Sequence, residues 1–206
     1  MLPKQFYLTG TDTDVGKTVT AALLCRALNR AYWKPAQAGL DGETDTEVVA
    51  RLAGVKTFPE RWRLKRPASP HAAAAGEGRS IRLDGFALPT QQPLLVEGAG
   101  GYQVPYSDEP LLWQSDLIRH LGLPVVVVGR TGLGTLNHTL LTLRALRADG
   151  LTVAGLILVG DEHQENQRDL QAMGDVSLLA RVPQITHLEA EFDACAQALR
   201  RNLERV

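Results

Sequence analysis

Short apolar runs alternate with amphipathic stretches along most of this chain. Gln5–Thr9, Ala31–Lys34, Pro93–Glu97, Pro124–Gly129 and Val153–Val159 read as strands, and Val182 ends a further short one. Their apolar residues follow one another without polar interruption, the pattern of strands covered on both faces. Helical spacing marks Lys17 to Asn29, Thr44–Leu52, Leu111–His120, Leu136–Asp149, Gln164–Met173 and Glu189–Glu204. Thr44 and Glu47 have capping-box spacing, and Gly150 stops the helix that ends at Asp149. The alternation predicts an α/β fold in one domain over residues 1–206, a mostly parallel sheet with helices on both faces. Residues that do chemistry are then expected beyond the C-terminal ends of the strands. Lys56 to Pro89 is the least regular stretch; its Ala72–Ala75 run predicts a helix with His71 near the start. No internal repeat is visible.

Composition narrows the classes. With 206 residues the chain can bury a real core, and a net charge of −1 leaves no bulk electrostatic footprint for nucleic acid or an anionic membrane. The longest apolar stretches, such as Val125 to Val128, are far too short to cross a bilayer. Cys25 and Cys195 lie far apart without metal-ligand spacing, which suits a reducing, cytoplasmic setting. Met1-Leu2-Pro3-Lys4 runs straight into a strand, so no signal peptide is expected.

The chemistry begins at Gly10-Thr-Asp-Thr-Asp-Val-Gly-Lys-Thr18, directly after the first apolar run. Strand, glycine loop, Lys-Thr and helix arrive in the order of a phosphate-binding loop. Gly16 lets the backbone approach an anion, Lys17 reaches the β- and γ-phosphates, and the Thr18 hydroxyl suits Mg²⁺. The following helix offers its positive end to the same anion. The usual first glycine of this motif would stand at Thr11; here it comes one place earlier, at Gly10. The alternative is a Gly/Asp turn with Thr13 or Asp14 as helix cap.

Four further features fit. Leu94-Leu95-Val96-Glu97-Gly98-Ala99-Gly100-Gly101 delivers an acid at a strand end, where phosphoryl transfer needs a carboxylate for Mg²⁺, and follows it with glycines. A glycine turn with a solvated glutamate is the plainer reading. Lys34 ends a short strand, and Pro35 keeps it out of helical geometry; a surface lysine is the alternative. Asp45 lies at a helix start, as a cap or as a second Mg²⁺ ligand. Thr131–His138 links a strand to a helix, and its helix start would suit a carboxylate, with Thr135 or Asn137 as simple caps otherwise. His71 and His138 have no metal spacing with the other histidines.

Taken together these elements, with Lys34-Pro35, Ser69-Pro70-His71 and Gly150–Gly155, resemble the dethiobiotin synthetase family in order and over nearly the whole chain. The resemblance implies a P-loop NTPase fold and an ATP- and Mg²⁺-dependent ligase of biotin synthesis. Its substrates would be ATP, CO₂ and 7,8-diaminononanoate. By resemblance Lys17 and Lys34 are catalytic, and Thr18, Asp45 and Glu97 hold Mg²⁺. Nucleotide contacts would come from Thr13, Asp14, Val15, Gly16, Lys17, Thr18, Val19, Asp45, Glu97, Gly98, Ala99 and Gly100, with Val159, Gly160, Pro183, Gln184 and Ile185 at the base. Lys34, Ala38 and the partner copy's Asn137 position would meet the diamine in a cytoplasmic homodimer. Two departures stand out. Ala38 occupies a place where the family often has a hydroxyl, next to Gln37. Val159-Gly160-Asp161 lacks the asparagine by which the family reads adenine, so either Asp161 substitutes or the base is read loosely.

Three other readings use the same loop. A partitioning or septum-site switch would carry a lysine where Asp12 stands. An amidoligase would need a glutaminase domain for which the chain has no room. A nucleotide-binding protein without catalysis would not need Lys17, Thr18, Lys34, Asp45 and Glu97 all intact.

Overall fold

The computed structural model describes residues 2–90 and 93–204; Met1 of the N-terminal stretch lies outside them. In chain order the strands are β1 (Gln5–Gly10), β2 (Ala31–Trp33), β3 (Ala36–Ala38), β4 (Thr57–Phe58), β5 (Trp62–Leu64), β6 (Leu94–Gly101), β7 (Pro105–Asp108), β8 (Leu111–Trp113), β9 (Val125–Arg130), β10 (Val153–Val159) and β11 (Leu178–Val182). The helices are α1 (Lys17–Leu28), α2 (Asp45–Ala53), α3 (Pro70–Gly76), α4 (Gln114–Leu121), α5 (Thr135–Ala148), α6 (Gln164–Gly174) and α7 (Leu188–Leu203). No helix among the described residues is long and apolar enough to cross a membrane.

Seven strands form one sheet in the order β11-β10-β9-β1-β6-β2-β4, and every neighbouring pair is parallel. Alternate residues of each strand serve opposite faces. Phe6, Leu8, Leu95, Val126 and Ile157 pack with Leu23 and Leu24 of α1 and Phe192 of α7. Tyr7, Val96, Val127 and Leu158 pack with Leu117 of α4 and Leu143 of α5. Both faces are therefore apolar, which explains the unbroken runs in the sequence.

Register sets up the site. Leu8 of β1 pairs with Glu97 of β6, and Trp33 of β2 pairs with Val96. The loop after Gly10, Glu97 and Lys34 thus emerge side by side at the C-terminal edge of three adjacent strands.

Two predictions needed revision. The helix expected over Leu111–His120 starts later, because Leu111–Trp113 pairs antiparallel with β7. Asp116 then accepts the Trp113 N–H at 2.9 Å and starts α4. The irregular stretch after Lys56 also holds two strands not expected there, β4 and β5, with β5 paired to β3, while the helix expected over Ala72–Ala75 with His71 near its start is α3. The predicted capping box of α2 is formed: Thr44 N–H donates to Glu47 at 2.7 Å and Thr44 Oγ1 accepts the Glu47 N–H at 3.3 Å.

Candidate active site

The loop from Thr11 to Gly16 turns the chain from β1 into α1. Gly16 has φ +88° and Asp14 φ +55°, left-handed conformations that bend main-chain N–H groups inward. Gly16 itself is the N-cap of α1, and neither Thr13 nor Asp14 caps the helix. Gly10 also has to be glycine: a Cβ there would stand 2.8 Å from Val15 Cγ2 and 2.9 Å from the Asp12 carbonyl oxygen. That tight turn is why the glycine sits one place early. Lys17 Nζ donates to the Asp12 carbonyl at 2.8 Å. Burial lowers its pKa from the ordinary lysine value.

Facing the loop is a set of charges from three elements. Thr18 Oγ1 donates to Asp45 Oδ1 at 2.8 Å and lies 3.2 Å from Glu97 Oε1. Lys34 Nζ is 2.5 Å from Asp45 Oδ2, 3.1 Å from Glu97 Oε1 and 3.1 Å from the Gly98 carbonyl oxygen. Lys34 is nearly buried and Glu97 wholly so. Burial alone would lower the Lys34 pKa, but Glu97 and Asp45 outweigh it, so the side chain stays an ammonium. For Asp45, burial is outweighed by Lys34 and by the hydrogen bond from Thr18, which hold its carboxyl below the usual range. The surface-lysine and solvated-glutamate readings fail here, because both groups are buried against each other.

The donor set of Asp45, Glu97 and Thr18 is all oxygen and suits a hard cation shared with phosphates. Among the described residues no cluster of three or more His, Cys, Asp or Glu is placed to hold a metal by itself. A cation here would therefore lean on the nucleotide.

A cavity of about 750 Å³ joins the two groups. Its walls bring together Thr13, Asp14, Gly16, Lys17, Thr18, Val19, Lys34, Ala38, Asp45, Glu97, Ala99 and Gly100, all expected from the sequence. Ala36, Gln37 and Pro67–Pro70 close the far end. The Val15 side chain points into the core, and Gly98 stands behind the wall with only its carbonyl on Lys34. Asn137 is exposed at the first turn of α5 and is not part of this wall. The other stretch expected at a nucleotide base lies apart from the main cavity but next to the loop: a Cβ on Gly16 would meet Val159 at 3.2 Å, and Gly160 N–H donates to the Val182 carbonyl at 2.9 Å, just before Pro183-Gln184-Ile185. Gly160 has φ +132°, and a Cβ there would collide with Thr131 Oγ1. Asparagine would not fit in place of Gly160. Asp161 beside it is exposed.

Sequence reading missed the groups behind the wall. Tyr32 OH donates to Glu97 Oε2 at 2.9 Å. Ala99 N–H donates to the Tyr106 hydroxyl at 3.2 Å, and Tyr7 OH donates to Gln114 Oε1 at 3.1 Å. Gln114 Nε2 in turn reaches Thr9 Oγ1 and the Gly101 carbonyl, each at 3.0 Å. Asp45 N–H donates to Gln37 Oε1 at 3.3 Å. Buried tyrosines read as ordinary core in a sequence, so no local signal distinguishes these. His71 joins α3 to β7 through the Pro105 carbonyl at 3.3 Å.

Comparisons with known proteins fit this geometry. Residues 4–192 match a family model described as an AAA domain. The ATP-dependent dethiobiotin synthetase BioD of Novosphingobium aromaticivorans is 48% identical over 196 residues, covering 94% of this chain and 93% of that protein. The protein of the same name from Brucella ovis is 44% identical over 191 residues, 91% of this chain and 89% of its own. Among solved structures, the septum site-determining protein MinD of Pyrococcus horikoshii with Mg-ADP superposes with a TM-score of 0.57 at 14% identity, over 98% of this chain and 95% of that one. A putative plasmid partition protein of Borrelia burgdorferi bound to AMPPNP gives 0.57 at 10% identity, over 99% and 98%. At such low identity these two share the P-loop fold with this chain and nothing finer. With nearly half of its residues identical along almost the full length of the synthetases, and with the charged residues of the motifs assembled around one cavity, the chain belongs to the ATP-dependent dethiobiotin synthetase family.

Proposed function

We propose that this chain joins CO₂ to 7,8-diaminononanoate and closes the cyclic urea of dethiobiotin, consuming ATP. The observation that carries the reading is Lys34: its ammonium lies 2.5 Å from Asp45 and 3.1 Å from Glu97, across one cavity from the phosphate loop. One amine of the diamine attacks CO₂ and loses a proton, giving an anionic carbamate. A carbamate oxygen attacks the γ-phosphorus and ADP leaves. The second amine attacks the carbamoyl carbon and loses a proton, phosphate departs, and this second C–N bond closes the ring.

Two anions must meet in the second step. Lys34 offsets the carbamate charge from the Glu97 side, and Lys17 offsets the phosphate charge from the loop side. Main-chain N–H groups of Thr13 to Thr18 orient the leaving diphosphate. Thr18, Asp45 and Glu97 would hold Mg²⁺, which when bound spreads charge over the β- and γ-phosphate oxygens. Ala38 and the Pro67–Pro70 wall line the diamine end. Asn137, exposed and off its own chain's cavity, would serve the substrate carboxylate of a second copy in a homodimer. One domain then carries the whole reaction, in the cytoplasm.

The test is phosphate release with MgATP, bicarbonate and 7,8-diaminononanoate, omitting each in turn and repeating with CTP and GTP. Release that requires both carbon substrates, with dethiobiotin as product, supports the proposal. Release indifferent to the diamine would overturn it.

A further inference from the structure

Resting on that reading of Asp45, Glu97 and Thr18 as the cation's holders, we infer that Tyr32 is a positioning residue that fixes which oxygen of Glu97 faces the metal. Glu97 is wholly buried, yet its two oxygens meet different surroundings. Oε1 looks into the cavity, 3.2 Å from Thr18 Oγ1 and 3.1 Å from Lys34 Nζ. Oε2 looks away and accepts the Tyr32 hydroxyl at 2.9 Å.

The tyrosine is placed to impose that asymmetry. It is wholly buried, in the middle of β2. Its N–H donates to the Lys56 carbonyl at 2.9 Å, and it pairs with Leu95 of β6, two residues before Glu97. Leu95 and Tyr32 belong to the same face of the sheet, the one covered by α1. The hydroxyl therefore reaches Glu97 from a backbone held on both sides. The last torsion of a glutamate is broad and roughly two-fold, so the covalent chain does not orient the carboxylate plane. A charge-assisted hydrogen bond from a fixed donor does. Groups that orient a ligating carboxylate from behind change metal affinity about 10- to 100-fold when removed.

Tyr32→Phe deletes one atom and keeps the ring. Mn²⁺ is the probe, with ADP, followed by the electron paramagnetic resonance of the free ion. Tyr32→Phe should weaken Mn²⁺ binding to the ADP complex about tenfold or more. Affinity for ADP without metal should stay within about twofold, since the phosphate loop is untouched. Turnover should need proportionately more Mg²⁺, with KM for the diamine unchanged. In a Glu97→Gln background the same change should cost nothing further, because the residue acts through that carboxylate. Tyr102→Phe is the matched control: its hydroxyl donates to Asp149 at 2.5 Å, away from the cavity. It should lower the melting temperature and leave Mn²⁺ affinity alone. Equal Mn²⁺ affinity in wild type and Tyr32→Phe would overturn the role of Tyr32 only. A wild-type ADP complex that binds no Mn²⁺ would overturn the metal reading and Tyr32 with it.

Discussion

The two ends of the cavity are built from different materials. At the phosphate end the main chain does the binding, and one continuous stretch from Gly10 to Thr18 supplies the bend, the N–H groups and the helix start. At the other end three side chains do it, hung from β2, α2 and β6: Lys34, Asp45 and Glu97. The lysines show the contrast. Lys17 rests on a neutral carbonyl, and burial lowers its pKa. Lys34 is as buried, but two carboxylates keep it charged. One end is therefore tuned to accept an arriving anion, and the other is an electrostatically closed set that holds its own shape.

The sharpest way to break that comparison is to remove each lysine. Lys34→Ala should leave nucleotide binding near wild type and lower turnover by at least about 10²- to 10³-fold, the usual cost of losing a group aimed at developing charge. Lys17→Ala should weaken nucleotide binding as well as turnover. Equilibrium binding of ATP beside single-turnover phosphate release separates the two. If Lys34→Ala turned over normally, the division of labour would be wrong.

Gly98 tests how rigid the side-chain end is. A Cβ on Gly98 would run into Gln114 Oε1 and come within 2.7 Å of the Tyr7 ring. Both are buried and hydrogen-bonded, so neither can give way cheaply. Gly98→Ala should cost about 1–3 kcal/mol, as overpacking does, and shift the carbonyl that meets Lys34. Thermal melting reads it at roughly 2–4 °C per kcal/mol for a chain of this size. Gly132→Ala, with nothing within 4 Å of its Cβ, should stay within about 0.5 kcal/mol. Equal losses would mean that close packing is not what requires glycine at position 98.

The same contrast explains what could be read from the sequence. The phosphate loop is legible because its parts are adjacent in the chain. Lys34 and Glu97 were legible as strand-end residues, since a parallel sheet puts all such ends on one edge. Tyr32, Tyr106 and Gln114 were not. Whether a buried tyrosine is packing or a hydrogen-bond donor depends on which residue the neighbouring strand sets opposite it, and register is not written locally. The first turns expected of a helix at Leu111 were lost for the same reason: their partner in β7 makes them a strand.

Tyr106→Phe asks whether the network behind the glycines matters to chemistry. It leaves the Ala99 N–H without its acceptor, a loss of about 1–3 kcal/mol if that group stays buried. Turnover should fall, by less than the Lys34 variant loses, with little change in ATP affinity. A change in ATP affinity alone would move Tyr106 to the phosphate end.

The smallest effect is expected at the start of α2, where local capping supports Asp45. Thr44 accepts the Glu47 N–H and donates its own to the Glu47 carboxylate. Thr44→Ala should cost about 1 kcal/mol, the usual price of a lost cap. Hydrogen bonds from the Thr44 N–H and hydroxyl lower the Glu47 pKa, so this support is complete above the unfolded carboxylate pKa. It fades as pH falls through the lower folded value. Melting curves of wild type and Thr44→Ala should therefore differ most at neutral pH and draw closer, without meeting, on acidification, because only the hydroxyl's bond to the carboxylate titrates while the Glu47 N–H bond to that hydroxyl does not. Turnover at neutral pH should fall only slightly, because Asp45 keeps Lys34, Thr18 and the Gln37 contact to its N–H. A large loss of turnover with a small loss of stability would mean that the aspartate is placed by the helix start rather than by the charges around it. The side-chain end would then depend on local main chain as much as the phosphate end does.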